Sequence, residues 1–312
     1  MKVFVIIVTY NGMKWIEECL KSISESSIPL SIIVVDNNSS DETTAFIKNN
    51  FPDVVLFEQT ANLGFGKANN LGLSYALKQN ADFVFLLNQD AFLEKHTAEK
   101  LIKVSKESRE YGILSPIQLD YSGKNLEYYF SKFMGEDSSG AFYSDFVLNN
   151  ELKSVYDVSF IQAAAWLLPI ETVKKIGGFD PIFYHYGEDN NYCQRLEFHK
   201  MKIGVVPSTF IRHDSHKPKR ENIDLFSAKY FSFYLREIFF KYADINKIFG
   251  KREINKETKK AYKLIIVSLI NFKPRRAFGY LKQLRLFKSK IKDINYSRST
   301  NKNIYPNHIE IE

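Results

Sequence analysis

The chain opens on an apolar run, Val3-Phe4-Val5-Ile6-Ile7-Val8, that stops at the polar turn Thr9-Tyr10-Asn11-Gly12. A run of strong β formers without alternation predicts a strand covered on both faces. Residues 14–24 then change period, with Ile16, Cys19, Leu20 and Ile23 at helical spacing. The same sequence of events repeats. A second strand is predicted over 30–35, closed by Asp36-Asn37-Asn38-Ser39-Ser40-Asp41, a cluster able both to turn the chain and to cap a helix over 42–50. A third strand over 54–58 leads to Asn62-Leu63-Gly64-Phe65-Gly66-Lys67 and a helix to about residue 79. Phe83-Val84-Phe85-Leu86-Leu87 is the fourth, and it breaks off at Asn88-Gln89-Asp90.

This β-α-β-α-β-α-β order within the first 90 residues predicts an α/β fold, a doubly wound, mostly parallel sheet flanked by helices. In open α/β sheets ligands sit beyond the carboxyl ends of the strands. All four strand ends here are polar. Each one alone serves equally as a turn or a helix cap; four along one edge predict a site. The Gly64-Phe65-Gly66 pattern does not make a dinucleotide fold, because it follows the third strand and its third glycine position holds Asn69. The start of that helix remains suited to phosphate.

Past Asp90 the chain predicts a helix over 98–107 and a strand over 112–119, whereas 120–156 mixes polar and aromatic residues in no clear order. A buried strand is expected over 160–169, a helix over 170–176, then Gly177-Gly178-Phe179-Asp180. Phe183 to Asn191 leads into a helix through Arg195, and strands are expected over 203–207 and 210–213.

The ordered set Thr9-Tyr10-Asn11, Val35-Asp36-Asn37-Asn38-Ser39, Asn62-Leu63-Gly64, Asn88-Gln89-Asp90 and Gly187-Glu188-Asp189 resembles glycosyltransferase family 2, most of all its rhamnosyltransferase-like members. The resemblance spans roughly residues 3–215 and includes the Gly177-Gly178-Phe179-Asp180 segment. It implies a GT-A fold, an inverting hexosyltransferase, a nucleotide-sugar donor (a dTDP-sugar such as dTDP-rhamnose, or a UDP-sugar) and a divalent metal, Mg²⁺ or Mn²⁺.

Such a transfer needs a grip on base and ribose, neutralisation of the diphosphate, and a base for the acceptor hydroxyl. Asp36 can accept from the N3–H of uracil or thymine, or act only as a turn residue. Thr9, Tyr10 and Asn11 can line the same slot, and Asn38, Asn62 and Gly64 the adjoining turns. Lys67 either reaches the diphosphate or is a solvated lysine. Asn88-Gln89-Asp90 stands where the family carries Asp-x-Asp, so Asn88 and Gln89 border the donor and Asp90 is the expected metal carboxylate. His213 is the histidine that best matches the family's second metal ligand; His216 is the weaker match, and either also suits a plain surface position. Asp189 is the expected general base, with Glu188 beside it as substitute or acceptor contact; both also suit the first turn of a helix. Where family members often carry a further acid, this chain has Asn191. Arg195 can meet a phosphate or a carboxylate. Trp166 and Tyr186 can form an aromatic floor for sugar or acceptor, although Trp166 also suits a core.

Charge changes the picture for the last third. The net charge is +7, yet residues 241–300 hold 17 Lys and Arg against 4 Asp and Glu, so the remainder is acidic. Residues 225–240 are strongly aromatic, 262–272 apolar, and 275–292 pair Phe278, Leu281, Leu284 and Ile291 with many lysines and arginines. That pattern fits a helix on an anionic membrane surface, helices packed on the catalytic domain, or a homodimer contact; no nucleic-acid motif accompanies it. The expected organisation is a catalytic domain over 1–218, a basic, aromatic helical extension over 219–300 and a loosely ordered tail over 301–312. Cys19 and Cys193 match no metal or redox spacing and read as reduced. No signal peptide and no apolar run of about 18 residues is evident, so the expectation is a cytoplasmic protein at the inner face of the plasma membrane.

The leading function is a transferase acting on a glycan or lipid-linked acceptor in surface polysaccharide synthesis. A sugar-phosphate nucleotidyltransferase would share the nucleotide-binding sheet but wants a Gly-rich basic loop after the first strand, which is missing. A catalytically inactive nucleotide-binding module is the third reading.

Overall fold

The computed structural model of the chain describes residues 1–134, 136–184, 186–215, 222–305 and 307–310, and the side chains of 136–138 are not described. It divides into two compact units, Met1–Pro218 with Ile304–Glu312, and Lys219–Asn303.

In the first unit the strands are β1 (Val3–Thr9), β2 (Ser31–Asp36), β3 (Val55–Glu58), β4 (Phe83–Asn88), β5 (Ala91–Leu93), β6 (Tyr111–Asp120), β7 (Tyr156–Val158), β8 (Ala165–Pro169) and β9 (Lys202–His213). The helices are α1 (Ile16–Ser24), α2 (Thr43–Asn50), α3 (Phe65–Lys78), α4 (Thr97–Glu107), α5 (Tyr128–Phe133), α6 (Glu136–Val147), α7 (Ile170–Ile176) and α8 (Glu188–Phe198). One sheet runs β3-β2-β1-β4-β8-β6-β9-β5, with β7 beside β9. Its β3-β2-β1-β4 half is parallel, as the opening pattern predicts. Beyond β4 the sheet is mixed: β8 runs antiparallel to β4 and β6, and β9 pairs parallel with β6 but antiparallel with β5 and β7.

Strand side chains alternate between the two faces, so the unbroken apolar runs feed two cores. Val5, Ile7, Val34, Phe85 and Leu87 pack with Ile16, Leu20 and Leu101 of α1 and α4. Phe4, Ile6, Val35, Val84 and Leu86 pack on the other face with Leu73 of α3 and Tyr192 of α8.

Three expectations need correction. The strand expected over 160–169 is regular only from Ala165, because Gln162 turns into a polar network. The strands expected over 203–207 and 210–213 are one, β9; its pairing with β6 jumps from Pro116–Val206 to Ile117–Phe210, and this bulge takes in Pro207. The tail is not loose over its described part. Gly178 N donates to Asn307 O at 2.8 Å, Glu310 N donates to Ser74 Oγ at 3.1 Å, and Ile309 packs on the α3 face. Gly177 has φ +81°, and a Cβ there would lie 2.2 Å from Asn307 O, so only glycine fits.

The tail also carries His308, half-buried beside Asp180 and Arg195. Burial, opposed by Asp180 and reinforced by Arg195, lowers its pKa to about 4. The unfolded chain takes up this proton near pH 6.5 and the folded chain only near 4, so stability falls as pH drops through that window. His308→Gln is expected to remove ~1–3 kcal/mol of that pH-dependent loss, read as thermal unfolding of both proteins at pH 7 and pH 4.5. Equal pH dependence of the two proteins would refute this.

The second unit holds α9 (Ala228–Tyr242), α10 (Lys251–Ile270), α11 (Pro274–Ser289) and α12 (Ile291–Asn301). Its centre is made by Phe231, Ile238, Tyr242, Leu284, Phe287 and Ile294. Arg298 is not part of the solvated basic face: it is buried and donates to the carbonyl of Tyr242, at the end of α9, and to those of Asp244 and Lys247 in the connection beyond it. Among the described residues no helix is long and apolar enough to cross a membrane.

Candidate active site

Sheet register brings the predicted residues together. Thr9 pairs with Asp36, and Val8 with Asn88, so three polar strand ends stand side by side at the carboxyl edge. Adjacent strands are about 4.8 Å apart, so these ends form one continuous polar edge.

At the β2 end, Asp36 is only 2% exposed and accepts from Ser39 N at 2.9 Å and Ser39 Oγ at 2.5 Å. The turn role is therefore real, and each carboxylate oxygen keeps a further lone pair. Asn11 and Asn38 occupy left-handed backbone, φ 48° and 66°, which Asn tolerates. Asn11 Oδ1 accepts from Ser40 N at 2.8 Å, binding the two turns together. Tyr10 is exposed at the mouth. Gln89 points back into the β1 end, its Oε1 accepting from Thr9 Oγ1 at 2.7 Å and Tyr10 N at 3.0 Å. It ties the end of β4 to that of β1 and occupies the hydroxyl of Thr9, which is fully buried.

The 62–64 turn is tied to this edge by Asn37, whose Oδ1 accepts from Leu63 N at 3.1 Å. Asn62 Oδ1 accepts from Gly64 N at 2.9 Å, closing the turn. Gly64, φ +80°, begins α3, and a Cβ there would sit 2.2 Å from Tyr184 O. Lys67 is exposed on the first turn of α3. Tyr184 Oη donates to Asn62 O at 3.2 Å, so the segment before α8 borders the same edge.

Asp90 lies just past β4 with its Oδ1 3.4 Å from His213 Nε2, across the β5–β9 pairing. Asp214 N donates to Asp90 O at 2.9 Å, and Asp214 is held by Lys14 and Trp15 Nε1, each at 2.7 Å. His213 Nδ1 is buried with no hydrogen-bond partner among the described residues. A carboxylate and an imidazole at this separation suit a divalent cation. The described residues contain no cluster of three metal-ligating side chains, so the protein would supply two ligands and leave the rest to donor oxygens and water. His216 lies outside the described residues.

Asp189 stands in the first turn of α8. Its Oδ1 accepts from Asn190 N at 2.8 Å, and the Ala163 amide also reaches the carboxyl. Burial outweighs these bonds and raises its pKa above the ordinary carboxylate range. Glu188 is buried beside the start of α3, its Cβ 3.7 Å from where a Cβ on Gly66 would stand; the close neighbour there is Phe179, at 2.9 Å. Tyr186 is exposed, at φ 66°.

Two expectations fail here. Trp166 is 0% exposed, stacked on Phe179 and tilted against Tyr192, so it is core and cannot be a sugar floor. Arg195 is equally buried and donates to the carbonyls of Gly178 and Ile176, so it meets no phosphate.

One residue escaped the sequence reading. Glu127, at the start of α5, is 1% exposed and accepts from Phe130 N at 2.7 Å, Gln162 Nε2 at 2.8 Å and Ser215 Oγ. Burial raises its pKa, but Ser215, the Phe130 and Tyr129 amides and nearby His213 together hold it below the usual range. It ties the α5 start and the 162 turn to the residues after His213.

Against known proteins, residues 4–167 match Glycosyl transferase family 2, more than half of the chain. The chain belongs to that family. It is 24% identical over 206 residues to the low-salt glycan biosynthesis hexosyltransferase Agl10 of Haloferax volcanii, covering 64% of this chain and 63% of that protein. It is 23% identical over 273 residues to the rhamnosyltransferase WbbL of Escherichia coli, covering 81% of this chain and 97% of WbbL. It is 24% identical over 254 residues to the N-acetylglucosaminyl-diphospho-decaprenol L-rhamnosyltransferase of Mycobacterium tuberculosis, 74% of this chain and 82% of that protein. Among solved structures, Staphylococcus aureus TarS 1–349 with UDP superposes at TM-score 0.52 and 16% identity, over 97% of this chain and 90% of that one. That likeness shows a shared fold. The nucleotidyltransferase reading falls with the family assignment.

Proposed function

We propose that the protein is an inverting hexosyltransferase that moves a sugar, rhamnose from dTDP-rhamnose or a hexose from a UDP-sugar, onto a glycan or lipid-linked acceptor of a surface polysaccharide. The observation that carries this reading is the line-up of Thr9, Asp36 and Asn88 on one strand edge, with Asp90 and His213 next to it. The activities for which the E. coli and M. tuberculosis relatives are named favour rhamnose and, for the second, a lipid-linked acceptor.

The base of the donor lies on Asp36, which accepts its imide N–H, while Tyr10 covers the mouth and the Asn11 and Asn38 turns hold the ribose side. Lys67 and the first amides of α3 face the diphosphate. Asp90 and His213 are the residues that would hold Mg²⁺ or Mn²⁺, and an ion there would supply positive charge to the diphosphate leaving group. Asp189 takes the proton of the acceptor hydroxyl as its oxygen attacks the anomeric carbon; the bond from that carbon to the diphosphate oxygen breaks, the configuration inverts, and nucleoside diphosphate leaves. Glu188 holds the start of α3 against that of α8. Tyr186 offers an exposed ring to the acceptor. The basic second unit meets the inner face of the plasma membrane, where a lipid-linked acceptor resides.

The test is thermal unfolding with UDP, dTDP, GDP and ADP, each with and without Mn²⁺. A ligand that binds only the folded state raises the melting temperature by mass action. UDP or dTDP is expected to raise it and ADP to leave it unchanged, since adenine offers no imide N–H. No shift with any nucleotide would overturn the donor-site assignment and favour a protein that has lost it.

A further inference from the structure

The second unit holds an apolar surface that its own core does not cover. Tyr262, Ile266, Leu269 and Ile270 recur on α10 at i, i+4, i+7 and i+8, the spacing of a buried helix face, yet all four are exposed. Ile270 is 69% exposed, Phe272 in the connection to α11 is 93% exposed, and Phe278 on the first turns of α11 is 65% exposed. Large side chains grouped this way are uncommon on a surface that faces only water. The inward side of α10 is a different one: Ser268 is buried and its neighbours Leu264 and Ile265 are half-buried.

The charge around this surface is of one sign. Residues 258–292 hold eleven lysines and arginines and no acidic residue. Lys263, Lys273, Arg275 and Arg276 are exposed within it, so cationic groups flank the apolar tip. Neither helix is long and apolar enough to span a bilayer. A second copy of the chain is a poor occupant, because a two-fold contact through this tip would set the same uncompensated cations against each other. An anionic lipid surface complements both features: acyl chains receive the apolar side chains and phosphates receive the cations.

We propose that the α10–α11 elbow is a membrane wedge, with Ile270, Phe272 and Phe278 entering the acyl region of an anionic leaflet and Lys273, Arg275 and Arg276 lying at the headgroups. This rests on the membrane contact proposed above and goes further: the contact is by insertion, at one elbow, and not by the broad charge of the unit. Proline at the first position of α11 suits the role, since it fixes the bend without exposing a free amide at the tip.

The full chain is sedimented with vesicles of phosphatidylglycerol in phosphatidylcholine, and with phosphatidylcholine alone. Binding to the anionic vesicles is expected, and the double variant Ile270→Ser/Phe272→Ser, which changes no charge, is expected to weaken it ~100-fold, about tenfold per apolar side chain kept in water. A tryptophan placed as Phe272→Trp is expected to shift its emission to the blue on binding and to be quenched by brominated acyl chains. If the serine pair binds as the unaltered chain does, and only Arg275→Glu/Arg276→Glu weakens binding, insertion is overturned while membrane contact stands. If neither vesicle binds, both fall. If light scattering shows a dimer that the serine pair dissociates, the elbow is a self-association surface and the wedge is overturned. Because these side chains are exposed, each variant should keep the melting temperature and nucleotide response of the unaltered chain, which separates this result from the fate of the donor site.

Discussion

Asparagine in place of Asp189 is expected to slow sugar transfer by ~10³-fold while leaving nucleotide-induced stabilisation unchanged. The two side chains are nearly the same size, and an amide oxygen can still accept from Asn190 N, so the first turn of α8 survives the change. What is lost is the capacity to take a proton. The pH profile gives a sharper reading. Burial raises the Asp189 pKa, and the reaction needs the ionised form, so kcat/KM should rise with pH through a limb above the ordinary carboxylate value of about 3.9. That limb should vanish from the residual activity of the variant. Transfer within tenfold of the unaltered enzyme would remove Asp189 from the base role and direct attention to Glu188, its buried neighbour.

Removing the carboxylate of Asp90 should have a comparable effect by another route. Asp90→Ala leaves the backbone bond from Asp214 N to Asp90 O, so the strand end should hold. Lost charge stabilisation of several kcal/mol corresponds to a fall in transfer of ~10³-fold. The decisive readout does not depend on turnover: the part of the UDP- or dTDP-induced thermal shift that requires Mn²⁺ should disappear. His213→Ala should reduce it less, since the carboxylate remains. If Asp90 only pairs with His213 as a structural contact, the variant will melt lower without ligand and yet keep its full Mn²⁺-dependent shift.

The parts of this protein legible in its sequence are those where one physical demand dominates. The β1 and β4 strands were plain because central parallel strands are covered on both faces and must be apolar throughout. The shared polar edge followed, since polar residues that interrupt such runs fall at the strand ends by construction. Competing demands hid the rest. Pro207 reads as a strand end, yet a bulge lets β9 continue past it and carry His213 to Asp90. Trp166 stands in a run that suits either a binding surface or a core, and only the packing of Phe179 and Tyr192 around it decides. Gln89 looks like part of the donor site, while its hydrogen bonds go to Thr9 and Tyr10. Glu127 lay in a stretch without periodicity, and its partners Gln162 and Ser215 are distant in the chain. The one local hint was an acid placed to cap the aromatic run from Tyr128.

The docking of Asn307 against Gly177 and Gly178 also bears on how the molecule is made. The catalytic unit is discontinuous: its final segment is encoded only after the whole of Lys219–Asn303. During translation the sheet can assemble early, but the surface over Phe179 and Ser74 stays open until the helical unit has left the ribosome. Nascent chains halted within that unit should therefore carry a loosened α7–α8 corner, more open to proteases there than the finished protein. In this chain the completion of the catalytic half is timed by the synthesis of the other half.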